Sequence, residues 1–107
     1  MINSTRLKEA LTYLSKTDES CAQARADHAR AEFKAKSIKN AQFQAGDGSI
    51  ADRNAVAETS EAYCAAKLVE FESFFEYEKL KNKRATEAIV IDTWRSLNAG
   101  RRTGQIM

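Results

Sequence analysis

The chain has no proline, four glycines, two cysteines and one histidine among its 107 residues. Without proline, and with Gly46, Gly48 and Gly100 beside apparent breaks and Gly104 in the tail, nothing interrupts long helices elsewhere. Cys21 and Cys64 form no CxxC pair and the sole His28 has no Cys or carboxylate at ligand spacing, so no metal site is expected. Two isolated thiols fit a reducing compartment. The longest aliphatic run, AIVI at 88–91, is far too short to cross a bilayer, and MINSTRLKEAL lacks the apolar stretch of a signal peptide. These absences point to a cytoplasmic protein without a membrane partner. GDGS at 46–49 is not a phosphate loop, because no strand precedes it and no GK[ST] follows. No acid–base couple or nucleophile–base pair stands out either, so the expectation is a protein that is not an enzyme and takes no cofactor.

What is present reads as helix. At 43% hydrophobic and 30% charged residues the chain is globular or coiled-coil-like rather than disordered, and its length allows one domain with a small core. Leu7, Leu11 and Leu14 fall at spacings of four and three behind Ser4 or Thr5 as a helix N-cap. SKTDES at 15–20 offers Thr17 or Asp18 as the cap of a second helix. Along it, Cys21, Ala24, His28, Ala31, Ala35 and Ile38 recur at alternating three and four, and Gln42 and Ala45 continue the row. Small residues on such a face let a second helix approach closely.

A reversal belongs at GDGS, where Gly46 or Gly48 takes positive φ and Ser49 with Asp52 resembles a capping box. IADRNAVAE then forms a short helix or helical loop. From Thr59 or Ser60 a third helix runs to about Asn98, its apolar row carried by Leu68, Phe71 and Phe75 with Phe74, Tyr77, Ala88 and Ile91, and Gly100 follows its C-cap. The expected fold is all-α: a long antiparallel, coiled-coil-like helical hairpin with a short N-terminal helix packed on it. Its single domain divides into a short helix at 1–16, a long helix at 17–45, a turn and short helix at 46–59, a long helix at 60–98 and a basic tail at 99–107. The second helix spans roughly 37 Å and the third roughly 58 Å, so the third overhangs. Leu7, Leu11 and Leu14 are expected to cover the overhang near Ile89, Ile91 and Trp94. Facing residues across the turn should sum to about 105, which separates Cys21 and Cys64 by about 30 Å along the axis and rules out a disulfide within the hairpin. A core this thin favours a homo-oligomer.

Charge is unevenly distributed. Net charge is zero over residues 1–20, +3 over 21–45, −6 over 46–78 and +5 over 79–107. Lys34, Lys36 and Lys39 should pair across the hairpin with Glu61, Glu70, Glu72 and Glu76, whereas Lys79, Lys81, Lys83, Arg84, Arg95, Arg101 and Arg102 have no comparable acidic partner. That positive end suits either nucleic-acid phosphates or the acidic region of another subunit. Within TWRSLNAGRR, Trp94 beside Arg95, Arg101 and Arg102 combines a stacking surface with planar cations, as single-strand binders do. Trp94 also lies at helical spacing from Val90 and Ile91, which makes it a core anchor on the other reading.

The long Ala- and Lys-rich helix, the GDGSIADRNAVAE connection, the SEAYCAAKLVEFESFFEYEKLKNKR helix and the closing WRSLNAGRR resemble small tailed-phage helical-hairpin proteins. In outline those are similar to the UvsY-type recombination mediator family. The resemblance covers about residues 18–102. It implies a non-enzymatic, oligomeric protein that binds single-stranded DNA and helps load a recombinase onto DNA coated by a single-strand-binding protein, in the host cytoplasm. The basic residues of the third helix and of WRSLNAGRR are the DNA contacts it implies: Lys79, Lys81, Lys83, Arg84, Trp94, Arg95, Arg101 and Arg102. The alternative class is a helical protein-interaction module, an adaptor or a small inhibitor of a host protein, docking through Glu70, Glu72 and Glu76.

Overall fold

A computed structural model describes residues 2–106, with side chains as far as Arg101. Three helices account for nearly all of them: α1 (Ser4–Ala45), α2 (Ile50–Thr59) and α3 (Glu61–Ile106). The fold is all-α, and α1 and α3 pair antiparallel as a long hairpin. Its short helix is α2, after the turn. The N-terminal helix expected at 1–16 is the first part of α1, which passes through SKTDES without a break. Residues that favour caps remain helical here because their hydroxyls bond within the helix: Thr17 Oγ1 donates to the Tyr13 carbonyl at 2.7 Å and Ser20 Oγ to the Thr17 carbonyl at 3.3 Å. The true cap of α1 is Asn3, whose side chain accepts from the Arg6 amide at 2.8 Å. Gly100 likewise fails to end α3, which continues through 99–106 where a tail was expected.

Packing divides the chain into two compact units, a terminal unit of Met1–Ala22 with Glu78–Met107 and a loop unit of Gln23–Tyr77. In the terminal unit Leu7, Ala10, Leu14, Thr17 and Cys21 are buried or half-buried and face Leu80, Arg84, Glu87, Ile91 and Trp94 on α3. In the loop unit the same alternation of three and four continues on α1 through Ala24, His28, Ala31, Ala35, Ile38 and Gln42. Its partners on α3 are Tyr63, Ala66, Glu70, Ser73 and Tyr77. This is the strict heptad of a coiled-coil seam. In both units facing residue numbers sum to 101, as in Thr17–Arg84 and His28–Ser73, rather than the 105 first expected. Cys21 and Cys64 are free thiols, the first half-buried and the second exposed.

The expected row of α3 is therefore not the one turned inward. Leu68, Phe71, Phe74 and Phe75 are 49–62% exposed, as is Ile89 at 64%, while Tyr77 and Ile91 do lie on the seam. Leu11 is also exposed, leaving Ala10, Glu87 and Ile91 as the buried residues where the overhang was expected. The start of α3 helps set which face turns inward. Gly48 takes φ +99°, Ser49 Oγ caps α2 by accepting from the Asp52 amide at 3.1 Å, and Ala57 is fully buried. Ser60 ends α2 by donating to the Ala57 carbonyl at 2.8 Å and starts α3 by accepting from the Tyr63 amide at 3.3 Å. Arg53 completes the corner: it donates to the Phe43 carbonyl at 3.0 Å in the last turn of α1 and lies 4.5 Å from the Phe43 ring.

Candidate nucleic-acid interface

The polar residues of the terminal seam find partners on α1. Arg84 Nη1 donates to the Leu14 carbonyl at 2.8 Å and to Thr17 Oγ1 at 2.7 Å, while Nη2 pairs with Asp18. Three residues on, Glu87 Oε1 accepts a hydrogen bond from Arg6 Nη2 at 2.9 Å, while its buried Oε2 lies 2.7 Å from Nη1 as an ion pair without hydrogen-bond alignment. The Arg6 hydrogen bond holds the Glu87 carboxyl below the usual carboxylate range, against an opposing push from burial, and raises the Arg6 guanidinium in return. Asp18 thus faces a basic segment that was expected to lack an acidic partner, while Glu87, within that segment, is taken by Arg6 of α1.

The candidate contacts consequently separate into groups. Arg84 is tied into the seam, with only 22% of its side chain exposed. Lys83 lies 4.8 Å from the Tyr13 ring on α1, its side chain still reaching solvent. Lys79 and Lys81 are exposed, Lys81 at 3.9 Å from Glu78. Arg95 is exposed beside Asp92 at 4.0 Å, a distance too long to hold it. Arg102 has its side chain outside the described residues.

Trp94 is half-buried at a seam position and lines a cleft of about 490 Å³ together with Ile2, Asn3, Ser4, Asn98 and Arg101. Asn98 and Asn3 were not among the expected contacts. Their only signal in the sequence is the 101 register, which sets position 3 against 98. The cleft thus brings together an indole, an arginine exposed to solvent and two asparagines. The terminal unit carries ten Lys/Arg against six Asp/Glu, a net +4, whereas the loop unit has seven against nine, a net −2.

In the loop unit the expected cross-hairpin pairing takes another form. Lys39 reaches Glu58 on α2 at 3.1 Å, Lys36 bonds Glu32 on its own helix at 3.4 Å, and Glu70 is buried against Lys67. That Glu70 bond raises the Lys67 ammonium. Only Glu72 and Glu76 of the acidic trio remain exposed. His28 does have a carboxylate at helical spacing after all, Glu32 at 3.9 Å, and its other ring nitrogen lies 3.4 Å from Ser73 Oγ. Among the described residues no group of three His, Cys, Asp or Glu side chains converges on a metal position, and no helix is long and apolar enough to cross a membrane.

No protein-family model, no curated protein and no solved structure matches the chain.

Proposed function

We propose that the protein is a non-enzymatic phage accessory factor that binds single-stranded DNA through its terminal unit and assists recombinase loading during homologous recombination in the host cytoplasm. The observation that carries the DNA-binding step is the joining of net +4 charge with the Trp94–Asn98–Arg101 cleft in one unit. A base stacks on the exposed part of the indole, Arg101 takes the adjoining phosphate, and Lys79, Lys81 and Lys83 extend the electrostatic path along α3. Arg84 contributes to the field while its hydrogen bonds stay within the fold. The recombination role rests on the resemblance to the UvsY-type mediators, which also supplies the recombinase and the single-strand-binding protein as partners.

Titration of a fluorescent single-stranded oligonucleotide tests the reading. If about four phosphates are neutralised, affinity falls roughly 50-fold between about 50 and 200 mM salt. Trp94 emission should be quenched on binding. Arg101→Ala and the triple change Lys79→Ala/Lys81→Ala/Lys83→Ala should each weaken binding without altering the helical circular dichroism. Absence of binding at about 50 mM salt would end the proposal. The loading step is read separately, as faster recombinase assembly on strands coated by a single-strand-binding protein.

A further inference from the structure

The described helices bury little of their apolar surface, and no large side chain is fully buried. The most concentrated exposed apolar surface is on the outward face of α3 in the loop unit. There Cys64, Leu68, Phe71 and Phe75 stand at spacings of four, three and four, the last three 58–62% exposed. Phe74, 49% exposed, borders them. If a whole Phe presents about 200 Å² and an aliphatic side chain somewhat less, this patch exposes roughly 450 Å², the size of the largest and often functional patch on a monomer. The row follows the same 3.5-residue period as the seam but points away from α1. It is a second seam without a helix on it.

We propose that this row is a homodimer interface, on which α3 of a second copy packs parallel and in register. Charge at the borders selects that occupant and that direction. In a parallel coiled pair, a residue on one border meets the residue five positions later on the opposite border of its partner helix. Taking Leu68 and Phe75 as one core row and Cys64 and Phe71 as the other, Lys67 of each copy meets Glu72 of the other, twice by symmetry. The Lys67 ammonium stands at the edge of the row, 5.1 Å from the Phe71 ring and bonded to Glu70, and with three donors it can hold an exposed Glu72 of the partner helix as well. An antiparallel pair that set Leu68 against Phe71 would instead place Lys67 beside Phe74 and Glu72 beside Ala65 of the partner helix, without the charge contact. Two copies bury about 900 Å² of apolar surface, and the charged borders carry the total into the range of a stable dimer. The surface lies outside the terminal unit, so the inference stands or falls independently of DNA binding.

Sedimentation equilibrium of the full chain, without nucleic acid, should give twice the 12.0 kDa protomer mass at micromolar concentration. Phe71→Lys and Phe71→Glu should each weaken the dimer at least about 100-fold, with helicity kept because the side chain is exposed. Mixing the two variants should restore it, since position 71 faces its own copy. Diamide, accepting two electrons and two protons, should oxidise the facing Cys64 thiols to one inter-chain disulfide. That cross-link should be lost in Cys64→Ser and in Phe71→Lys but kept in Cys21→Ser. A monomeric wild type, a dimer indifferent to both Phe71 variants, or a mixture that fails to recover would each overturn the proposal. A dimer that forms no Cys64 cross-link would overturn the parallel register.

Discussion

Replacing Arg84 separates a structural arginine from a DNA-binding one. Its guanidinium reaches two α1 acceptors at 2.8 and 2.7 Å, and its side chain is largely enclosed. Hydrogen bonds from a charged donor contribute about 1.5 kcal/mol each at the lower end of the measured range. The pair with Asp18 adds no more than about 0.5 kcal/mol, because that carboxylate is 73% exposed. Truncation also removes the packed aliphatic stem. Arg84→Ala is therefore expected to cost about 3 kcal/mol and to lower Tm by roughly 10–15 °C for a chain of this size.

Arg84→Met should behave differently. Methionine keeps the stem, and the acceptors left behind are not orphaned: the Leu14 carbonyl lies inside α1, and the Thr17 hydroxyl donates to Tyr13. Loss of the hydrogen bonds is offset by relief from desolvating a cation, so this variant should fall within about 1 kcal/mol of wild type. Thermal denaturation followed by far-ultraviolet circular dichroism measures both, and oligonucleotide affinity is then read on the Met variant. It should stay within about threefold of wild type, the cost of one lost long-range charge. An Ala variant that melts with the wild type would refute the assigned role of the seam contacts. So would a Met variant that melts as early as the Ala variant.

Three further outcomes are expected. Gly48→Ala should cost about 1–2 kcal/mol in denaturant unfolding, because φ +99° strains any residue with a Cβ and the new atom would meet the Asp52 carboxylate at 3.4 Å; no change would mean that the turn relaxes freely. Glu87 has a carboxyl group held below its ordinary range, so its contribution is present above the unfolded carboxylate pKa and is lost as pH falls through the lower, folded value. Acid titration of stability should therefore be shallower at its acidic end in Glu87→Gln than in wild type, and coincident curves would contradict the Arg6 pairing. Ala35→Leu, at a buried seam position facing Ala66, which is also buried, should overpack and destabilise by about 1–3 kcal/mol in the same denaturant assay; a stabilised variant would show that the two helices stand further apart than the seam implies.

The sequence made some parts of this fold legible because local chemistry decides them. Absence of proline allowed long helices, GDGS marked the reversal, and Ser49 and Ser60 cap as serines at helix starts do. The inward row of α1 from Cys21 to Gln42 could be read from its three–four spacing. The row of α3 could not, because two rows share that spacing and the more apolar one lies outside. Hydrophobicity ranks the rows; the partner helix and the Ser60 corner choose between them. The false break at SKTDES has a similar origin, since cap-forming hydroxyls satisfied inside a helix look the same in sequence as caps. At the candidate site, the cationic segment and Trp94 were visible, but the removal of Arg84 into the seam and the arrival of Asn3 beside Asn98 depend on register across the hairpin.

A polar inward row and an apolar outward row have complementary consequences. The seam contacts of the terminal unit are specific to one alignment: moving α3 by a heptad would part Arg84 from Thr17 and Glu87 from Arg6 and leave charged groups poorly matched at half-buried positions. Leucines and phenylalanines would hold the helices together more strongly but would discriminate poorly among alignments, since any heptad shift sets apolar against apolar. The chain has its register fixed by polar groups, at a loss of core, and this leaves the phenylalanines of α3 facing outward. In the proposed dimer, folding and assembly depend on different faces of one helix. Changes at Arg84 or Glu87 should move Tm with little effect on the number of chains, and changes at Leu68 or Phe71 should alter the number of chains while each chain stays helical. A stripe substitution that unfolds the chain at a concentration where wild type is already dissociated would show that the two faces are not separate.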